Sequence, residues 1–384
     1  MNVRTAWTRF GRARLVAVES GLGALVAGLA LSGGGGHALA AAGAVVIAGA
    51  LLRCRGAFAD RRLLDRLRRD ALAPAATSAP APGADDLGLA HTLLPVLDVT
   101  EVAHRNVPAD APGLGVLSDG RGCAAVLAFP GGTLPDLPAA IVREWLDTDP
   151  ARPAAAQLVF EQFGLPPRDL LHRYQPAVAY RQLPGGPRPV AVRSWLVLRY
   201  EPFGAPEAAE RRGGGMAGAR AAVAAATARI RARLASAGAP TTPLSAAELR
   251  ALLRQIGDAA GEGRALPTSW AGIAATHCSV AVPVASPAEW SRLLSGLAGC
   301  AAERVVVAAT LTKEGPALRV LTAVRVVSVM AQHAAAERER LLRAGILRET
   351  PTDQRAGLLA TLPVAHPFRS LVETIGAGSP GAPR

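Results

Sequence analysis

Two apolar runs near the N-terminus constrain the fold more than any other feature of the chain. The first, residues 15–31, contains one charged residue, Glu19, and the second, residues 38–52, contains none. The connection, residues 32–37, is Ser-Gly-Gly-Gly-Gly-His, a set of turn-forming residues. Crossing a hydrocarbon core of ~30 Å takes ~20 apolar residues, with ~17 at the short end. Each run is short alone, but the adjacent pair with its flanks predicts a two-helix transmembrane hairpin.

Arginines flank this hairpin on both outer sides. Residues 1–70 contain eleven arginines and four acidic residues, so they carry +7 (11 − 4) of the chain's net charge of +12. The connection contains no Lys or Arg, and basic flanks remain on the cytoplasmic side of a membrane. We therefore expect a two-pass protein of the cytoplasmic membrane with both termini in the cytoplasm. The charge indicates a membrane flank, and no nucleic-acid partner is expected.

Two alternatives to the hairpin remain open from the sequence. In the first, the N-terminus is a secretory signal peptide cleaved after Ala38-Leu39-Ala40. The first apolar run is longer than the ~7–15 residues of a signal core, however, and the apolar character continues past that position. In the second, the pair is a buried hairpin of a soluble protein, which the lack of a polar face disfavours.

Glu19 is the one ionisable residue inside the apolar runs. An ionisable residue within a membrane segment is a functional candidate, so Glu19 is a candidate intramembrane polar contact. The alternative is that its side chain extends to the membrane interface near Arg14.

The segment after the hairpin changes composition twice before a larger domain begins. Residues 53–70 place leucines on one face and arginines on the other, which predicts a basic juxtamembrane helix that binds anionic lipid headgroups. Residues 71–92 are rich in Pro and Ala and are typical of a linker. We expect a cytosolic domain over 93–375 and a disordered tail over 376–384.

The cytosolic domain alternates strand-like and helix-like patterns, which predicts an α+β or mixed α/β fold without an evident internal repeat. The expected strands are 95–103, 114–118, 122–129, 155–163, 190–200, 276–284, 303–312 and 317–327. The expected helices are 136–146, 214–236, 245–260, 286–298 and 331–345. The helix at 245–260 begins with Ser245 and Glu248 at the spacing of a capping box.

A glycine-rich turn precedes the longest expected helix. Backbone N–H groups at a helix N-terminus can bind an anion, and close-packed turns use the same glycines. The segment lacks the P-loop and dinucleotide-binding spacings. Both an anion-binding and a packing interpretation are therefore kept for Arg212, Gly213, Gly214, Gly215 and Gly218.

Asp147 and Asp149 form a D-x-D pair, a spacing that can hold a divalent cation and the phosphates of a nucleotide sugar. The alternative function is therefore a membrane-tethered nucleotide-sugar or phosphate-ligand enzyme that uses this pair and the Gly213–Gly215 turn. The four cysteines are isolated, and neither G-x-S-x-G nor H-E-x-x-H occurs. We expect a non-enzymatic protein with no catalytic residues, cofactor or metal.

The order of several short motifs resembles a known family. Besides the hairpin and its arginine-rich exit, these motifs are Gly115-Val116-Leu117-Ser118-Asp119-Gly120, the strand Arg193–Pro202, Arg212-Gly213-Gly214-Gly215-x-x-Gly218-x-Arg220, Pro243-Leu244-x-x-x-Glu248-Leu249, Ser269-Trp270 with His277, and Leu362-Pro363. The pattern is similar to that of EccE, a membrane component of the type VII (ESX) secretion systems of actinobacteria.

This resemblance implies a structural subunit of a complex that exports folded helical substrates across the cytoplasmic membrane. It implies EccB-, EccC- and EccD-like partners, of which EccC is the ATPase. It carries over no catalytic residue, because the family has none established.

Overall fold

The computed structural model describes residues 12–31, 33–51, 53–54, 57–58, 87–103, 113–131, 139–163, 191–258, 261–282, 284, 286–314, 317–347 and 354–367. The chain divides into two compact units, residues 1–72 and residues 73–384, and each is described by itself. The tail expected over 376–384 lies outside the described residues.

The N-terminal unit is a helical hairpin. Helix α1 (Arg12–Ala30) and helix α2 (Gly34–Leu51) pack side by side. Two short strands follow, β1 (Arg53–Cys54) and β2 (Ala57–Phe58), paired antiparallel with Arg53 opposite Phe58. This pairing differs from the helix expected over 53–70, of which residues 59–70 lie outside the described part.

No described helix combines the length and the apolar character that a membrane crossing requires. The transmembrane part of the hairpin prediction is therefore unconfirmed.

The second unit is built on one large sheet in which every pairing is antiparallel. Its strands are β3 (Asp98–Val102), β4 (Leu114–Ser118), β5 (Cys123–Ala128), β6 (Ala155–Phe163), β7 (Ala191–Tyr200), β8 (Thr242–Pro243), β9 (Gly263–Ala265), β10 (Trp270–Gly272), β11 (Thr276–Val282), β12 (Arg304–Glu314) and β13 (Ala317–Ser328). They run in the order β3-β4-β5-β7-β6-β12-β13-β11-β10-β9, and β8 also pairs with β5. Helices packed on an antiparallel sheet define an α+β fold, which confirms that part of the expected fold class.

Helices cover both faces of this sheet. They are α3 (Leu89–Leu93), α4 (Ala139–Thr148), α5 (Pro206–Glu210), α6 (Gly215–Ser236), α7 (Ala246–Ile256), α8 (Pro287–Ala298), α9 (Ala331–Arg343) and α10 (Gln354–Thr361). One face buries a core against α4, α5, α6, α8 and α9. The opposite face buries a second core against α3, α7, α10 and the segment after α10. Successive residues of a strand point to opposite faces of the sheet, so alternate residues pack into the two separate cores.

The central strands repeat one arrangement twice. In the first half, β5, α4 and the β6–β7 hairpin give the sheet order β5-β7-β6, and in the second half β11, α8 and β12–β13 give β11-β13-β12. The halves meet where β6 pairs with β12, with Val159 opposite Ala308. The strand order therefore has approximate two-fold symmetry, although the sequence shows no matching repeat.

The second unit begins its core earlier than the expected domain start at residue 93. Leu87, Leu89 and Ala90 are already buried, so residues 87–92 belong to the core and not to the linker expected there. Helix α7 begins with the expected capping box, in which Glu248 N donates to Ser245 Oγ and Ser245 N donates to the Glu248 carboxylate.

Candidate functional sites

Glycines form the contact between α1 and α2. Gly21, Gly28, Gly36 and Gly43 are buried, and a Cβ atom added at Gly43 would lie 2.5 Å from the carbonyl oxygen of Gly21. One added at Gly28 would lie 2.6 Å from the carbonyl oxygen of Gly36. The two helix backbones therefore touch directly, as in membrane helix pairs that associate through small residues.

Large apolar side chains occupy the outer surface of the same hairpin. Those that are exposed are Val16, Leu22, Val26, Leu29, Leu31, Leu39, Val45 and Val46. A water-soluble helix pair buries its large apolar residues and exposes polar ones, and this hairpin does the opposite. Its outer surface therefore fits an apolar environment or a partner better than water.

Glu19 is exposed on the surface of α1. Residues 15–52 contain no Lys or Arg, so a positively charged partner for Glu19 must come from outside this segment. A role for Glu19 within the membrane stays a prediction.

The glycine-rich turn connects α5 to α6 with three consecutive residues of positive φ. The φ angles are 96° at Gly213, 72° at Gly214 and 57° at Gly215, values that favour glycine. Arg212 is partly buried, and its Nη1 donates to the Ala208 carbonyl oxygen at 2.8 Å. No side chain caps the N-terminus of α6. The anion-binding interpretation stays a prediction.

Gly218 has a different environment from the three turn glycines. A Cβ atom at Gly218 would overlap the carbonyl oxygen of Ala209, whereas one at Gly213 would meet nothing within 4 Å. Gly218 thus allows α6 to approach α5 closely. The geometry at this position fits the packing interpretation.

The D-x-D carboxylates bind two different cationic side chains. Asp147 pairs with Lys313, the single lysine of the chain, at 2.7 Å. Asp149 is buried, and its carboxylate accepts hydrogen bonds from Nε and Nη2 of Arg229, at 2.8 and 2.7 Å. Among the described residues, no group of three or more metal-ligating side chains was found. The two ion pairs therefore connect α4 and the loop after it to β12 and α6. Nothing here favours the enzyme alternative.

A fully buried ion pair lies at the turn between β4 and β5. Arg199, on β7, donates to both carboxylate oxygens of Asp119, at 2.8 Å from Nη1 and 3.2 Å from Nη2, and both side chains are 0% exposed. Its Nε donates to Glu201 at 2.9 Å. Asp119 Oδ1 also accepts the backbone N–H groups of Arg121 and Gly122, which closes the turn.

The neighbours of Asp119 decide its ionisation. Burial pushes the pKa of Asp119 upward, but the attraction and hydrogen bonding of Arg199 and His366 together outweigh burial and hold this pKa well below its usual range. The carboxylate therefore stays charged well into the acidic range.

The Asp119–Arg199 pair also holds the C-terminal segment that follows α10. Arg199 Nη1 donates to the Val364 carbonyl oxygen at 3.2 Å, and His366 Nε2 lies 2.7 Å from Asp119 Oδ2. Gln157 adds two bonds, donating to Ala360 O and accepting from Ala365 N. We call residues 354–367 the C-terminal strap, because these contacts hold it against the sheet.

A second group of charged and polar side chains lies on the same face of the sheet, beneath the C-terminal end of α7. We call it the Arg325 cluster, and its members are Arg193, Arg304, Arg325, Glu161, Asp258, His277 and Ser279. All of them are buried except Arg193, whose side chain is 40% exposed. Glu161, which is 0% exposed, accepts from Arg193 and from Arg304. Arg325 Nη2 donates to the Ile256 carbonyl oxygen at 2.5 Å. Cations at a helix C-terminus interact favourably with the helix dipole.

Burial shifts the pKa values of two members of this cluster. Loss of hydration lowers the pKa of Arg325 to about 9, and the neighbouring charge of Arg304 adds to that shift. Burial is also the main reason that the pKa of His277 falls to about 4, although Asp258, 3.3 Å from His277 Nε2, opposes the shift. His277 is therefore neutral at pH 7.

The lowered pKa of His277 makes the stability of the domain depend on pH. Between pH ~6.5 and ~4 the unfolded chain binds a proton at His277 and the folded chain does not, so the free energy of unfolding falls as the pH falls. One such group contributes about 1.4 kcal/mol per pH unit. We expect a loss of about 2 kcal/mol between pH 6.5 and 5 in urea unfolding. His277→Gln should reduce this slope, and the part that remains is expected from His366, whose pKa burial also lowers. An unchanged slope would contradict the assignment to His277.

Charged residues inside apolar strands were the sequence signal for these two clusters. Arg199 lies within the strand Ser-Trp-Leu-Val-Leu-Arg-Tyr, and Arg325 lies within Thr-Ala-Val-Arg-Val-Val. A buried strand rarely contains an arginine unless a partner neutralises its charge. The carboxylates near these arginines, Asp119, Glu161 and Asp258, are distant from them in sequence, so periodicity alone does not identify them.

The described residues define a class of protein: a helical hairpin with an apolar outer surface and an α+β domain with internally paired buried charges. Residues 189–282 of the 384 match the family model described as type VII ESX secretion system translocon, EccE. No curated protein matches the chain. The resemblance found in the sequence is thereby confirmed in the segment from β7 to β11, which contains four of its motifs.

Proposed function

We propose that the chain is an EccE-like structural subunit of a type VII secretion complex that exports folded helical substrates across the cytoplasmic membrane. The family match over residues 189–282 carries this proposal. A structural role also fits the internal pairing of the charged side chains that were candidates for chemistry, since Asp147 and Asp149 are bound by Lys313 and Arg229. The partners we propose are EccB-, EccC- and EccD-like subunits.

The hairpin is proposed to anchor this subunit as a two-pass segment with both termini in the cytoplasm. Helices of 19 and 18 residues extend over about 28 and 27 Å at about 1.5 Å per residue, slightly less than the ~30 Å hydrocarbon core. The apolar outer surface and glycine contact support this anchoring, and arginine flanks on both sides would bind anionic headgroups. A membrane-impermeant maleimide should label Ser32→Cys from outside intact cells, and labelling only after lysis would contradict the topology.

Co-purification tests the proposed assembly. A C-terminally tagged full-length chain, extracted from its native membrane in a mild detergent, should recover EccB-, EccC- and EccD-like subunits identified by mass spectrometry. Deleting residues 1–70 should leave a folded domain that no longer joins the complex. Recovery of the full-length chain without any of these subunits would contradict the proposal.

A further inference from the structure

Glu19 carries a negative charge that the two helices of the hairpin do not balance. It is exposed, and residues 15–52 contain no Lys or Arg. Arg12 shares its face of α1 but is seven residues away, or about 10.5 Å along the helix axis. Side chains of one helix pair at spacings of three or four residues, so this distance is too long for an ion pair within α1. His37, the other titratable side chain of residues 15–52, bonds to the Gly33 carbonyl oxygen beyond the opposite end of α1.

The face of α1 that carries Glu19 is turned away from α2. Gly21, on the other side of the helix, is buried against α2. Val16, Leu22 and Val26 lie three, three and seven residues from Glu19, so they share its face, and all three are exposed. This face is therefore an exposed apolar surface with one negative charge near its centre, a composition that marks an interaction site.

In the orientation of the proposed function, on which this inference rests, Glu19 lies inside the hydrocarbon core. It follows Arg14, the last arginine before the apolar run, by five residues, or about 7.5 Å along the helix. The long stems of Lys and Arg extend to the interface from such a depth, but the stem of Glu is two methylene groups shorter than that of Lys. Ionisable residues within a membrane pair with one another. Since the hairpin helices supply no cation at this depth, the partner of Glu19 comes from another chain.

Gly23 leaves room for that partner one turn from Glu19. It is exposed, and a Cβ atom added there would meet nothing within 4 Å. A glycine on a membrane helix lets a second helix approach closely.

We infer that this outer face of α1 docks a transmembrane helix of another subunit of the complex, and that an Arg or Lys within that helix pairs with the Glu19 carboxylate. The apolar side chains around Glu19 pack against the partner helix, and the charge selects it. A helix without a basic residue would leave the carboxylate unpaired in hydrocarbon, which disfavours its binding.

Removal of the charge tests this pairing in the co-purification of the tagged full-length chain. Glu19→Gln keeps the shape of the side chain and leaves the partner cation unpaired, so recovery of the other subunits should fall about tenfold. Glu19→Asp keeps the charge and should retain most of the recovery. Glu262→Gln, the same change at an exposed residue of the sheet domain, should have no effect. Full recovery with Glu19→Gln would overturn the pairing. An unmodified chain that recovers no subunit would instead contradict the proposed function and, with it, this docking site.

Topology labelling separates docking from membrane insertion. Loss of a charge does not hinder insertion, so the Ser32→Cys probe should be labelled from outside the cell equally well with and without Glu19→Gln. Labelling that is lost together with recovery would assign Glu19 to insertion and overturn the docking role.

A photo-reactive residue identifies the occupant of this face. p-Benzoylphenylalanine at Val26 should cross-link, in intact membranes, to one other subunit, in a peptide that contains an Arg or Lys inside an apolar run. Changing that basic residue to Glu should restore recovery with Glu19→Arg. Cross-links only to lipid, to a second copy of this chain or to a helix without a basic residue would overturn the inference.

Discussion

Replacing Asp119 by Ala is expected to lower the free energy of unfolding by about 3–5 kcal/mol, because the buried Arg199 guanidinium loses the carboxylate that both its terminal nitrogens bind and keeps Glu201 at Nε alone. The same change removes the oxygen that accepts two backbone N–H groups of the β4–β5 turn and the group that faces His366. The turn, β7 and the C-terminal strap should all lose order together. Urea unfolding followed by tryptophan fluorescence measures the loss, and hydrogen exchange locates it.

A matched carboxylate elsewhere in the sheet provides the control. Asp98 pairs with Arg220 at 3.2 Å, but its side chain is 49% exposed, so Asp98→Ala should cost less than about 1 kcal/mol. The two variants remove the same chemical group and differ in burial. If both variants lowered the free energy of unfolding by the same small amount, the Asp119–Arg199 pair would not hold the strap. The burial of this pair would then not add to its contribution.

Most of the strands and helices of the sheet domain follow from the sequence because their residues alternate or repeat with the period of the element. Strands β4 and β6 begin and end at the predicted residues, and the capping box at Ser245 and Glu248 marks the start of α7. The order of the strands in the sheet cannot be predicted from the sequence in the same way. Neighbours such as β6 and β12 are far apart along the chain, and their pairing depends on the helices between them. Periodicity describes a segment, whereas register describes a pair of segments.

The candidate sites were less predictable than the fold. Glycine patterns identified the turn at Gly213–Gly215, but not that Arg212 would donate to the Ala208 carbonyl oxygen. The carboxylates Asp147 and Asp149 matched a metal-binding spacing, yet each is bound by a cation from a distant segment. A two-residue motif has no information about such partners. Arginines within apolar strands would have been the better signal, since a buried guanidinium requires specific neighbours.

The C-terminal strap, which includes helix α10, shows a different limit of prediction from sequence. Leu358, Leu362 and Val364 are buried, but this part of the chain has no long periodic pattern. Its position depends on side chains of the sheet, above all Gln157 and Arg199, which bind its backbone. A segment held by the hydrogen bonds of other elements cannot be located from its own residues.

The contact between α1 and α2 leads to the second large effect. Gly43→Leu places a side chain where the Gly21 carbonyl oxygen lies 2.5 Å and the Leu25 N 2.7 Å from the Cβ position, so the two helices must separate. Overpacking of this kind costs about 1–3 kcal/mol, and each 1.4 kcal/mol is a factor of ten in an equilibrium. If the paired helices form the membrane-embedded surface of the subunit, recovery of the secretion complex with tagged Gly43→Leu should fall about tenfold.

Gly49→Leu separates this packing effect from a general effect of adding leucine to α2. Gly49 lies on the same helix, is exposed, and a Cβ atom there meets nothing within 4 Å. The variant adds the same side chain and the same apolar character, so recovery of the complex should remain near that of the unmodified chain. Equal losses in both variants would mean that the outer surface of α2, and not its contact with α1, is the part that the complex requires. Equal recovery in both would mean that the glycine contact is dispensable for assembly.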